Sequence, residues 1–196
     1  MEFAAAQKER APLAQNEANC DNECQLMMAR VKLELGEKKQ AADLINRGLQ
    51  KHSNDPRFLK DVARLLIETS RNQTQTADIV QRVAAALAQD AEAQYLLAEW
   101  AFANSRPDLA QEALIRAFQN RPDETVRMKG GFLLGQIEER ADRLERAAHA
   151  YKIAWDINEK LALPDMRRAT LYISFLARHN REGEALQYIE QMLAKK

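Results

Sequence analysis

Five times along this chain a small residue is followed, seven positions later, by a second site and then directly by a third. The first members are Ala41, Ala77, Ala110, Ala147 and Ala185. The second are Gly48, Ala84, Ala117, Ala154 and Met192, and the third are Leu49, Ala85, Phe118, Trp155 and Leu193. Seven residues is close to two turns of α-helix, so the first two members share a face. Gly or Ala at four of the five second sites lets another helix approach to about 8 Å, and the residue behind it closes the contact. Such a chain is a series of close-packed helices that cannot bury their apolar faces alone. Composition agrees, since Ala, Leu, Gln, Glu and Arg abound while Gly (6) and Pro (5) are scarce. No alternating Val/Ile/Thr run is long enough for a strand. No apolar segment nears the ~20 residues of a membrane span, and the N-terminal MEFAAAQKERAPL has no apolar block of the kind a secretion signal carries. Acidic and basic residues number 29 each, so no global field recruits nucleic acid or an anionic membrane. The prediction is a soluble, all-α chain.

The stretch 91–124 shows the unit most clearly. Two amphipathic patterns, Ala93 to Phe102 and Leu109 to Phe118, flank the break Asn104-Ser105-Arg106-Pro107, and Pro122 closes the unit. Ala98, Ala110 and Ala117 fall where the two helices must meet, with Leu97, Leu114 and Phe118 filling the space between. This stretch resembles the tetratricopeptide repeat (TPR), a helix–turn–helix of about 34 residues. A second match lies at 128–161, where Leu134-Gly135 takes the close-contact site and Ala147, Tyr151, Ala154 and Trp155 follow. Weaker copies lie at about 22–55, 56–90 and 166–196. In the last, Ile173 and Met192 stand where the family keeps small residues, so that end is expected to pack more openly. The resemblance implies a single domain over 20–196, a right-handed superhelical solenoid of about five repeats behind a loose segment 1–19. The first helix of each repeat would line the concave face. The family commonly adds a solvating helix after its last repeat, and none follows LAKK. This predicts partial exposure of Leu186 or Tyr188, and either a longer parent protein or a partner at that end.

First-helix residues turned away from the second helix are the candidates for that concave face: Arg30, Lys60, Arg64, Tyr95, Glu99, Phe102, Phe132, Gln136, Arg140, Arg167, Ser174 and Arg178. They predict a groove that is aromatic in the middle and basic toward its ends, suited to a peptide with an apolar core and acidic neighbours. The alternative is that the aromatics are inter-repeat core and the arginines solvated surface. One TPR subclass grips a C-terminal carboxylate with a set of Lys, Asn and Arg residues. Leu26 and Arg30 replace the needed Lys and Asn here, so that partner is not expected.

Catalytic signals are missing. His52, His149 and His179 have no Cys, Ser or paired acid at a useful spacing. Glu138 and Glu139 are adjacent and diverge around a helix, and Gly130-Gly131 lacks the Lys and Ser/Thr of a phosphate loop. No cofactor is expected. Cys20 and Cys24 lie one helical turn apart, open to a strained disulfide or to ordinary thiols, with no further ligands for a metal. Asn72-Gln73-Thr74 is formally a glycosylation sequon. The reading is a non-catalytic scaffold for a protein or peptide partner, similar in overall character to bacterial TPR proteins of envelope or secretion assemblies. The compartment is cytoplasmic by default, periplasmic for a chain whose signal or anchor has been removed. Two rivals remain: a pentatricopeptide-like RNA binder, which zero net charge and the missing polar code oppose, and an oligomerisation module of a larger protein, acting through the C-terminal end.

Overall fold

A computed structural model describes residues 22–69 and 73–194. Cys20, Asn72 and the segment 1–19 lie outside them; Cys24, inside, is disulfide-bonded. Ten helices make up the described residues: α1 (Asn22–Glu34), α2 (Lys38–His52), α3 (Pro56–Thr69), α4 (Thr74–Ala86), α5 (Ala91–Ala103), α6 (Pro107–Gln119), α7 (Glu124–Arg140), α8 (Leu144–Asn158), α9 (Met166–Arg178) and α10 (Glu182–Ala194). None is long and apolar enough to cross a membrane. The chain divides into two compact units, Met1–Val83 and Ala84–Lys196.

Two local devices recur. At the break inside a hairpin one residue takes positive φ: Gly36 (77°), then Ser105, Asp142 and Asn180 (57° each). Behind it a backbone N–H reaches back to end the first helix, as in Arg106 to Ala101 O, Arg143 to Glu138 O and Arg181 to Leu176 O, each 2.9 Å. The second device is an aspartate before each first helix after α1. Asp55 accepts from the Arg57 and Phe58 amides. Asp90, Asp123 and Asp165 accept from the Ala93, Val126 and Arg168 amides at 2.8, 2.7 and 3.0 Å. Each carboxylate satisfies a donor that the helix leaves unpaired and faces the positive end of its dipole.

In the N-terminal unit α1 pairs with α2, and α3 packs on both. Ala29, Ala41, Leu44, Ile45, Val62, Ala63 and Leu66 form its interior. Gly48 is small for a reason that can be measured: a Cβ there would stand 2.6 Å from Phe58 Cζ.

In the C-terminal unit the hairpins α5–α6, α7–α8 and α9–α10 stack in sequence, and the first helices touch along the stack, α5 on α7 and α7 on α9. The small sites are the points of closest approach. Ala110, Ala117, Ala147 and Ala154 have no exposed surface. A Cβ on Gly131 would lie 2.9 Å from Ala154 Cβ, and one on Gly135 would lie 2.6 Å from the Tyr151 ring. Around them Phe132, Tyr151, Trp155, Tyr172 and Phe175 make an aromatic core, with ring centroids 5.1 Å apart for Tyr151 and Phe175 and 4.8 Å for Trp155 and Tyr188. The last hairpin is the most open: Ala185 is the one residue α10 buries, and Ile173 and Met192 are half-buried. Leu186 is 59% and Leu193 60% exposed, while Tyr188 stays half-buried beside Trp155 and Tyr172.

Candidate functional site

First helices touching in a row give the C-terminal unit one continuous face made of α5, α7 and α9. The sequence candidates divide there by chemistry. Glu99 and Gln136 are half-buried, and Arg140, Arg167, Ser174 and Arg178 are exposed. The aromatics are not available as a groove floor, and the expectation of an aromatic middle needs correction. Phe132 has no exposed surface, and Tyr95 and Phe102 keep 4% and 8%. The physical reason is the number of neighbours. α7 packs against α5, α6, α8 and α9, so most of its circumference is interior and the phase that would face a ligand on a two-neighbour helix faces core here. One face of the Phe102 ring is capped by Arg140, whose guanidinium carbon lies 3.9 Å from the ring centroid.

Arg168, the neighbour of the sequence candidate Arg167, is the centre of this face. Its side chain donates to Asp165 Oδ2 at 2.6 Å, to the Tyr95 hydroxyl at 3.3 Å and to Glu99 Oε1 at 3.5 Å. The last two partners lie on α5, so one guanidinium spans from the last hairpin of the unit to its first. Burial alone would lower the Arg168 pKa, but Tyr95, Asp165 and Glu99 outweigh it and hold the charge firmly on. Burial likewise opposes the charged form of Asp165, yet its bonds to the Arg168 side chain and amide, with Lys129 nearby, keep its carboxyl below the ordinary value. Burial, reinforced by Glu99, pushes the Tyr95 phenol up, so it stays neutral.

A second cluster closes the other end of the face. Glu139 accepts from the Tyr151 hydroxyl at 3.0 Å and from Arg178 Nη2 at 2.8 Å, with His179 Nε2 at 3.2 Å from the same carboxyl oxygen as Arg178. Burial would raise the Glu139 pKa; the bonds from Arg178, His179 and Tyr151 bring it below the usual carboxylate value. Its neighbour Glu138 points the other way, buried and paired with Arg143. The two carboxylates diverge as their adjacency requires. Every strongly perturbed acid or arginine in these clusters is a charge held by opposite charges, and none is a base poised near neutrality beside a nucleophile.

The N-terminal unit carries the remaining candidates. Arg30 is exposed and reaches Glu68 on α3 at 3.5 Å. Arg64 pairs with Asp61 one turn before it at 2.7 Å, and Lys60 is half-buried. Of the histidines, His52 tilts against Phe58 with centroids 5.4 Å apart, His149 is exposed, and His179 stands as described. Among the described residues no group of three His, Cys, Asp or Glu could hold a metal ion.

Solved structures decide the architecture. A TPR protein of Thermus thermophilus superposes with a TM-score of 0.69 over 89% of this chain and 91% of that one, at 16% identity. The fold is that of the tetratricopeptide repeat. PilF of Pseudomonas aeruginosa gives a TM-score of 0.69 at 14% identity, covering 86% of this chain and 73% of its own. MamA from Desulfovibrio magneticus RS-1 gives 0.56 at 20% identity, covering 72% and 78%. At these identities the likeness is one of fold. No family model matches the chain, and no curated protein matches it in sequence. The TPR hairpins seen in the sequence at 91–124 and 128–161 are the two first pairs of the C-terminal unit.

Proposed function

We propose that this protein is a non-catalytic scaffold that holds a segment of a partner protein against the α5–α7–α9 face of its C-terminal unit. The observation that carries the reading is the sorting of that face. Its apolar side chains are spent on the core, and polar or charged groups, Glu99, Gln136, Arg140, Arg167, Ser174 and Arg178, are left at or near its surface on helices whose positions the Arg168 and Glu139 clusters fix. A surface of fixed, varied polar groups on rigid helices is suited to specific recognition and offers no assembled nucleophile, base and oxyanion site. Arg30, Lys60 and Arg64 are the corresponding first-helix residues of the N-terminal unit.

The test places a photoreactive amino acid at Gln136 or Ser174 and, for comparison, at His149 on the second helix α8, in the organism that makes the protein. Protein adducts at the first two positions and not at the third are expected. Adducts confined to His149 would move the site to the second helices and defeat the proposal.

The exposed apolar row Leu186, Ile189 and Leu193 on α10, at 59%, 37% and 60%, favours self-association through that helix as a second reading. Mass in solution that rises with concentration in the native protein, and not in Leu186→Glu/Leu193→Glu, is its expected signature; a concentration-independent monomer removes it.

A further inference from the structure

We infer that the segment received by the α7–α9 part of this face is an acidic, extended stretch of a partner protein, its carboxylates met by Lys129, Arg140 and Arg167. The inference rests on the scaffold reading and adds the chemistry of the ligand. Lys129, Gln136 and Arg140 are seven and four residues apart on α7, so they fall within about 40° of one helical line. Arg167, Ser174 and Arg178 repeat the same spacing on α9, the helix beside it. Two parallel rows therefore carry a cation at each end and a neutral hydrogen-bonding group between.

The carboxylates of this face are already used. Glu99 and Asp165 hold Arg168, Glu139 holds Arg178 and His179, and Glu138 holds Arg143. Lys129 adds to the field that keeps Asp165 ionised without forming an ion pair with it, Arg140 leans on the Phe102 ring, and Arg167 is exposed. These three cations have no carboxylate within ion-pair distance among the described residues. In a chain of zero net charge, cations left over where the acids are internally neutralised make a local positive surface.

Length and aromatic burial choose the ligand class. Lys129 and Arg140 are about 16 Å apart along the axis, which an extended peptide covers in roughly five residues. A nucleic acid strand would need rings to stack on and many phosphate contacts. Phe132 is fully buried, Tyr95 nearly so, and the Phe102 face is occupied by Arg140, so the face offers bases no platform.

The test is fluorescence polarisation of a short labelled peptide of alternating Glu and Ser, against a Lys/Ser counterpart and an oligouridylate. The proteins are the wild type, the inner variant Lys129→Glu/Arg140→Glu/Arg167→Glu, and the outer variant Arg121→Glu/Arg146→Glu/Lys160→Glu. We expect binding of the Glu peptide that weakens with salt, falls about tenfold or more in the inner variant, and is unchanged in the outer one. Lys129→Gln/Arg140→Gln/Arg167→Gln stands in if the charge-reversed protein does not fold, with a smaller loss. Equal binding of the Lys peptide, wild-type affinity in both inner variants, or preference for the oligouridylate overturns the inference. Adducts at Gln136 or Ser174 that excess Glu peptide does not suppress defeat the acidic-ligand inference alone. Their complete absence defeats the scaffold reading beneath it.

Discussion

Replacing Gly135 with alanine tests the packing logic at its tightest point. The new Cβ would lie 2.6, 2.6 and 2.7 Å from Tyr151 Cδ1, Cε1 and Cγ, against an ordinary carbon contact near 3.5–4 Å. Roughly 1 Å must open between α7 and α8. The ring cannot supply it by swinging, because the contact is at its base and side, not its tip. Tyr151 is 1% exposed, its hydroxyl is held by Glu139 at 3.0 Å, and Phe132 and Phe175 flank it with centroids at 6.3 and 5.1 Å. Overpacking a full core costs about 1–3 kcal/mol, and loosening the bond to the ionised Glu139 adds about 1–2 kcal/mol. Alanine's helix preference returns about 1 kcal/mol. The net expectation is a loss of about 1–4 kcal/mol, read as a lower urea midpoint at unchanged slope and a melting temperature down by roughly 5–10 °C. Gly130→Ala is the internal control. Its Cβ meets Phe118 Cε1 and Cζ at 2.8 and 3.0 Å, the tip of a ring 37% exposed and free to turn outward, so stability should stay within about 0.5 kcal/mol of wild type. If Gly135→Ala were neutral, or if Gly130→Ala cost as much, contact at the small site would not be what sets the hairpin spacing.

Three further outcomes follow from the polar clusters and the last helix. Arg168→Met should cost about 1–3 kcal/mol in urea unfolding, because Glu99 and Asp165 lose their partner while one-quarter exposed; adding Glu99→Gln should recover part of the loss, and strict additivity would refute the coupling. Asp165 and Glu139 have folded pKa values below their unfolded ones, so their contribution is complete above about pH 4–5 and disappears as pH falls through the lowered values; a urea midpoint that drops from pH 5 to pH 2 is expected, with a shallower drop in Glu139→Gln. Gly183→Ala on α10, where nothing lies within 4 Å of the added Cβ, should leave stability unchanged or raise it by up to about 1 kcal/mol in the same assay.

What could be read in the sequence was whatever repeats at a fixed interval within one hairpin. The pairs Ala110/Ala117 and Ala147/Ala154 announced themselves because a helix's period puts two turns between them, and both pairs are fully buried. The aspartates at 90, 123 and 165 stand directly before helices they cap, a local signal of a helix start that the seven-residue spacing does not use. The turn residues were less legible, because Ser105, Asp142 and Asn180 take the positive φ that Gly36 advertises. The groove face was a harder problem of angle. Adjacent residues on a helix point about 100° apart, so choosing Arg167 over Arg168 turned on a phase that no repeat fixed, and Phe132 was lost to the core once α7 gained neighbours on several sides. Pro164-Asp165-Met166-Arg167-Arg168 does contain a local signal, a capping acid three residues before an arginine, that marks Arg168 as held. It could not reveal the other end of that contact. Glu99 and Tyr95 lie 69 and 73 residues earlier, on a hairpin two places away, and they meet Arg168 only because the stack turns enough to bring α5 and α9 to one guanidinium. A bond of that kind depends on the rotation accumulated over two steps, which arises from every small-residue contact between them. For that reason Gly135→Ala, though far from Arg168 in sequence, should also weaken the Arg168–Glu99 coupling in a double-mutant cycle.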